Sequence, residues 1–241
     1  MKPARKRAQA IAQGRGRNER VVIPLAFALA ARISARPLVE FRSDATQLAN
    51  GLGELQQALA ADGLVCALAA RMEISSAPDA TLDVERMAKQ GALGASLEAC
   101  RRLREVQGDK VALLAGLTGP ATLAAQFDVN VAQACVAFAA LVKEFCAAGA
   151  DVILLMEDAG AQCASEQWQD GVKTAINIAR FHQASLLAWQ GVGGLAAPHG
   201  VALDTPTLSG LGIVTTDTLV APDVDIEQLR AWVTTVRGGD V

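Results

Sequence analysis

The sequence of 241 residues predicts an α/β fold in which parallel strands alternate with helices. The clearest evidence is the stretch 110–126, in which an apolar run is followed by Gly119-Pro120 and then by an Ala-rich segment. A buried strand, a tight turn and a helix with proline in its first turn explain this order. The pattern repeats over 149–158, where a second apolar run ends in two adjacent carboxylates, Glu157 and Asp158.

Alternating strands and helices require right-handed crossover connections. Two architectures satisfy that requirement, an open doubly wound sheet and a (β/α) barrel. Periodicity does not choose between them. The pattern predicts four clear strands and two short ones, whereas a closed barrel of this kind has eight.

The other elements follow from apolar periodicity and helix-boundary residues. Helices are predicted over 20–33, 44–61, 82–106, 119–127, 130–148, 166–182 and 224–236. Strands are predicted over 64–68, 111–114, 151–156 and 186–190, with shorter ones over 201–203 and 212–216. Because Pro37 disfavours helix at the residue before it, 35–41 is expected to be extended or looped. Gly91 and Gly94 are expected to break or bend the helix over 82–106.

The charge distribution excludes a typical nucleic-acid-binding domain. The first 20 residues hold seven basic side chains and one acid, and the remainder holds 15 basic and 24 acidic side chains. We therefore expect 1–19 to be a basic flexible tail, 20–241 to be a single barrel-like domain, and no nucleic acid among the partners. No apolar run approaches the roughly 20 residues of a membrane-spanning helix, so no membrane partner is expected.

Five cysteines lie outside any CxxC spacing and have apolar neighbours. Such cysteines are typical of reduced, buried thiols, so the sequence predicts a cytoplasmic protein without a disulfide framework.

Four segments carry a family resemblance: RISARPLVEF at 32–41, GPATLA at 119–124, GADVI at 149–153 and PDVD at 222–225. Taken together, they resemble the uroporphyrinogen decarboxylase superfamily, which includes the corrinoid-dependent methyltransferases. The resemblance covers most of the chain. It implies a TIM-type barrel with N-terminal helices covering the barrel and an active site at the carboxyl ends of the strands.

The sequence departs from the family in three places. No carboxylate follows the strand 64–68 until Glu73, and the strand 186–190 has neither the His nor the Cys of the family's zinc site. Corrinoid and zinc are the cofactors that the family implies, but no zinc ligand set is evident, since zinc needs thiolate or imidazole ligands in fixed geometry. The chain is also short between 191 and 211, which predicts a shortened or incomplete barrel. Its open edges would need cover, so we expect a homo-oligomer, such as a homodimer, or pairing with a full-length relative.

Glu157 and Asp158 are the candidate catalytic residues. Carboxylates that end a buried strand can act as acid and base, and two neighbouring ones can differ in pKa. Adjacent strand residues point to opposite faces, so one of the two should enter the pocket. Asp158 matches the family more closely. The alternative for this pair is a helix cap or an ion-pair partner.

Five residues are candidate substrate contacts. Gly119 and Thr122 lie at a helix start, whose free N–H groups attract anions. Arg71 could clamp a carboxylate or phosphate, although a surface ion pair is the alternative. Gln190 occupies the place of the family's metal ligands. His199 lies in a predicted loop and could transfer protons near neutral pH.

Two functions of different kinds are consistent with these patterns. The first is a divergent enzyme that binds a small anionic molecule and carries out decarboxylation or one-carbon (methyl) transfer without the family zinc site. The second is a catalytically silent homologue that acts as a binding or assembly subunit.

Overall fold

The computed structural model describes residues 2–68, 72–77, 79, 81–206 and 211–238. Within these residues the chain forms seven strands: β1 (Arg20–Val22), β2 (Gly63–Ala67), β3 (Ala112–Thr118), β4 (Val152–Met156), β5 (Ser185–Ala188), β6 (His199–Val201) and β7 (Gly212–Thr216). The first helices are α1 (Ala4–Ala12), α2 (Phe27–Ile33), α3 (Leu38–Phe41), α4 (Ala45–Leu59), α5 (Met72–Ser75) and α6 (Val84–Met87). The later helices are α7 (Gly91–Gln107), α8 (Pro120–Phe127), α9 (Val131–Ala147), α10 (Glu166–Phe181) and α11 (Ile226–Arg237).

All strand pairs are parallel, and they form two sheets, β2-β3-β4-β5 and β1-β7-β6. The last strand, β7, returns to pair with the first, as expected of a barrel rather than of a doubly wound sheet. In the described part of the chain no strand ladder joins β1 to β2 or β5 to β6, so hydrogen bonds do not close the barrel. The prediction of an incomplete TIM-type barrel is confirmed.

The central strands are apolar throughout because both of their faces are covered. Every residue of β2 and β3 is buried, and so are four of the five residues of β4. Strands buried on both faces read as continuous hydrophobic runs, which is why their positions were predictable. Three of the helices packed around these strands begin at side-chain caps, which are Asp44 for α4, Asn130 for α9 and Ser165 for α10.

Helix α1 lies where the sequence analysis expects a flexible tail. It contacts β1, β3, β5 and β7. Arg7 is buried and binds Asp62, which comes just before β2, at 2.6 Å. Arg5 binds Asp151, which comes just before β4, at 3.1 Å. The tail interpretation is wrong for these residues, because α1 packs across the amino ends of the strands and covers that end of the barrel.

Two local predictions near the amino terminus are also wrong. The segment 20–33 is not one helix, since β1 and α2 are separated by Pro24, and Ile23 N donates to Val214 O of β7 at 2.8 Å. The segment 35–41, expected to be extended or looped, contains the single-turn helix α3 directly after Pro37. Proline is well accepted at a helix start, because the missing N–H is not needed there.

The predicted strand over 186–190 ends earlier, at Ala188. Gln190 has a left-handed backbone (φ 57°) and belongs to a 3-10 turn over Trp189–Gly194, which we call the β5 loop.

Among the described helices, none alone is long and apolar enough to cross a bilayer. Helices α8 and α9 reach that length only together, and they are bent by 116°.

Candidate functional site

The carboxyl ends of β3 and β4 lie side by side and carry most of the predicted site residues. Thr118, the last residue of β3, is in register with Met156, the last residue of β4. Gly119 N donates to Met156 O at 2.7 Å, which ties the start of α8 to the end of β4. The structure therefore brings Gly119, Thr122, Glu157 and Asp158 together at one edge, which we call the rim.

The Glu157 carboxylate caps the start of α8. It accepts hydrogen bonds from Ala121 N at 3.0 Å and Thr122 N at 2.8 Å, and from Trp168 Nε1 at 2.8 Å. Gly119 makes room for it, since a Cβ at that position would lie 2.3 Å from the Glu157 Cδ. The helix N–H groups expected to bind a ligand are thus taken by a carboxylate of the same chain, which is the cap alternative for Glu157.

Thr122 and Asp158 form the second contact of the rim. Thr122 is buried, and its hydroxyl accepts a hydrogen bond from Asp158 N at 2.7 Å. The Asp158 side chain is exposed, and no hydrogen bond or ion pair joins its carboxylate to another described residue. Thr122 therefore fixes the backbone that presents the Asp158 carboxylate at the end of β4.

Glu73 is a buried carboxyl group at the end of β3 that was not among the candidates. It lies on α5, is fully buried, and accepts hydrogen bonds from Thr118 N at 3.0 Å and Thr118 Oγ1 at 2.7 Å. Burial raises the pKa of Glu73 above its ordinary value, and the hydrogen bonds from Thr118 oppose that shift only in part. The one sequence signal for Glu73 was its position as the first carboxylate after β2.

The remaining candidates are placed differently. Arg71 lies outside the described residues. Gln190 is exposed in the β5 loop, which follows the carboxyl end of β5 and so belongs to the rim. His199 opens β6, is exposed, and has its ring Cδ2 4.0 Å from the Cβ position at Gly212, the first residue of β7. His199 therefore lies toward the amino end of β7, and the structure does not bring it to Asp158.

The described residues do not form the zinc site that the sequence resemblance implies. In the described ranges no three His, Cys, Asp or Glu side chains gather into a group that could hold a metal ion. Burial raises the pKa of Cys163 to about 11 and also raises that of Cys135, and the nearby Glu157 carboxylate adds to both shifts. Because the described residues offer no such ligand group, we assign no step to a metal.

Comparisons with known proteins support the fold. Neither a family model nor a curated protein matches the chain. Among solved structures, a methyltransferase from Methanosarcina mazei aligns over 98% of this chain and 99% of that chain, with a TM-score of 0.72 and 14% identity. A 2,3-dimethylmalate lyase of the PEP mutase/isocitrate lyase superfamily aligns over 90% and 82%, with a TM-score of only 0.33 and 11% identity. At these identities the first likeness shows the fold alone and the second carries no argument. The chain has the TIM-barrel-type fold of a solved methyltransferase.

Proposed function

We propose that the chain is a divergent enzyme of the uroporphyrinogen decarboxylase and corrinoid-dependent methyltransferase superfamily. It acts on a small anionic molecule at the rim, by decarboxylation or one-carbon transfer without the family zinc site. The observation that carries the proposal is the Asp158 carboxylate, which is exposed and unpaired among the described residues while its backbone is held by Thr122. In TIM-type barrels the carboxyl ends of the strands carry the catalytic residues.

Both reactions need one group that moves a proton at the rim. In decarboxylation the bond to the carboxylate breaks, CO2 leaves, and a proton must be added to the carbon that keeps the electron pair. In one-carbon transfer to a thiol, the sulfur bonds to the methyl group and loses its proton, while the bond between the methyl group and its donor breaks and the donor leaves with that electron pair. Asp158 can give the proton in the first case or accept it in the second.

The other rim residues support Asp158. Glu157 is a positioning residue in this proposal, because its carboxylate is occupied by the start of α8 and by Trp168. Glu73 is the second carboxyl group, hydrogen-bonded to Thr118 at the end of β3, and burial raises its pKa, which favours its protonated form. Gln190 is the candidate substrate contact from the β5 loop.

The substitution Asp158→Asn tests the proposal. We expect turnover to be abolished and the melting temperature to stay nearly unchanged, because the side chain is exposed. The assays are CO2 release from uroporphyrinogen and from smaller carboxylates, and methyl transfer from methylcobalamin to a thiol. Asp128→Asn is the matched control, an exposed carboxylate at the opposite end of α8. Equal activity in Asp158→Asn and the wild type would remove the proposal.

A catalytically silent homologue that acts as a binding or assembly subunit is the second candidate. It is favoured by the Glu157 carboxylate, which accepts from the N–H groups expected to bind an anion. It is also favoured by the facing edges of β5 and β6, which no strand ladder joins within the described residues. Native mass spectrometry of the chain, alone and mixed with a full-length relative, measures assembly. Turnover by the isolated chain would exclude this candidate.

A further inference from the structure

We propose that Trp168 is a positioning residue that links the β5 loop to the start of α8, so that the loop and the backbone of Asp158 shift together. The indole of Trp168 is only 1% exposed and lies between these two parts of the rim. Its importance for a substrate at Gln190 rests on the proposed function, whereas the link itself does not.

One edge of the indole holds Glu157. Trp168 Nε1 donates to Glu157 Oε1 at 2.8 Å, and the same oxygen accepts from Ala121 N at 3.0 Å. The other oxygen of Glu157 accepts from Thr122 N at 2.8 Å, and the Thr122 hydroxyl accepts from Asp158 N at 2.7 Å. A continuous set of hydrogen bonds thus runs from the indole to the backbone of Asp158.

The opposite edge of the indole supports the β5 loop. A Cβ on Gly193 would lie 2.4 Å from both Cη2 and Cζ3 of Trp168, so the loop backbone rests directly on the ring. Gly191 and Gly194 also have left-handed backbones, at φ 70° and φ 73°, but neither would meet another atom within 4 Å. All three glycines have a positive φ, but of the three only Gly193 would bring a Cβ against the indole.

The indole can transmit a displacement because it is one rigid bicyclic ring in close-packed surroundings. The base of the loop is fixed independently, since Ala188 N donates to Ala196 O at 2.9 Å. Movement of the loop tip therefore has to displace the indole or open a gap beside it. A ligand that contacts Gln190 would in this way change the placement of Asp158.

Amide hydrogen exchange measured by NMR tests the link without a substrate. Gly193→Ala should raise the exchange rates of the Ala121 and Thr122 amides about tenfold or more, because the added Cβ displaces the indole and weakens the Glu157 cap. Gly191→Ala is the matched control, since Gly191 has nearly the same left-handed backbone (φ 70°, ψ 28°, against φ 64°, ψ 19° at Gly193) and its Cβ would meet no atom within 4 Å. It should leave those two amides within about twofold of the wild type. Equal effects of the two variants would overturn the proposal.

A perturbation from the other end gives the reciprocal test, since coupling between two sites acts in both directions. Glu157→Met removes both oxygens, including the one that accepts from Trp168 Nε1, at a similar side-chain length, and it should raise amide exchange in the β5 loop. It also decides the question if Gly193→Ala does not fold. Unchanged exchange in the loop of Glu157→Met would overturn the link, whether or not the chain turns over a substrate.

Discussion

The buried ion pair between Arg7 and Asp62 gives the sharpest test of the amino end of the barrel. Its side chains are 8% and 4% exposed, and Arg7 Nη2 lies 2.6 Å from Asp62 Oδ1. The substitution Arg7→Met keeps much of the apolar length of the side chain and removes the charge. It leaves the Asp62 carboxylate buried without its nearest cation.

Removing one partner of a buried ion pair costs about 3–5 kcal/mol. Two observations place this case at the low end of that range. Asp62 keeps a hydrogen bond from Val22 N at 3.1 Å and a second cation, Arg237, at 3.3 Å. Arg7 Nε is also buried without a hydrogen-bond partner among the described residues, a cost that methionine removes. We expect a loss of about 3 kcal/mol, or a fall in Tm of about 6–12 °C for a chain of this size.

Urea unfolding followed by circular dichroism measures this loss, with Lys6→Met as the control on the same helix. Lys6 is 53% exposed and lies 3.4 Å from Asp109, so its removal should cost less than about 1 kcal/mol. Equal losses in the two variants, or a loss below about 1 kcal/mol for Arg7→Met, would refute the packing of α1 against the barrel.

Three further stability predictions follow from single contacts. Gly119→Ala should lower the free energy of unfolding by about 1–3 kcal/mol, because its Cβ would collide with Glu157, and a loss within error would contradict the cap geometry. Gly53→Ala, in the interior of α4 with open space around it, should raise stability by about 0.5–1 kcal/mol in the same urea titration. Glu73 should make stability fall with rising pH. Its pKa is raised from 4.5, so its contribution is complete below that pH and is lost as pH rises through the folded-state value. The loss of unfolding free energy in Glu73→Gln, relative to the wild type, should therefore become smaller as pH rises. A loss that does not change with pH would contradict the prediction.

The sequence was sufficient to locate the central strands and most helices. Strands β2, β3 and β4 are continuous apolar runs ended by glycine or polar residues, and this signal is local. The break before α7 was predicted from Gly91, and the structure shows a left-handed backbone at that residue (φ 61°). The first strand was missed because Val21, Val22 and Ile23 continue an apolar run into α2, and Pro24 was the only sign of a boundary.

Other features depend on contacts between distant parts of the chain. Arg5 and Asp151 are 146 positions apart, and Arg7 and Asp62 are 55 apart, so no local pattern distinguished α1 from a solvated basic tail. The strand ends predicted which residues meet at the rim, but they did not predict the contacts that each rim side chain makes. Glu157 caps a helix because its partners are backbone N–H groups and the indole of Trp168, which lies on a later helix.

The most direct test of the account is to map where small anions bind by NMR chemical-shift changes. Acetate, succinate and inorganic phosphate, titrated separately into the full chain, are suitable probes. The account predicts saturable changes at Asp158, Gln190 and their neighbours on the rim. Saturable changes confined to the cleft of about 650 Å³ between α7 and α9, lined by Arg101 and Lys143, or to the amino end near α1, would contradict it.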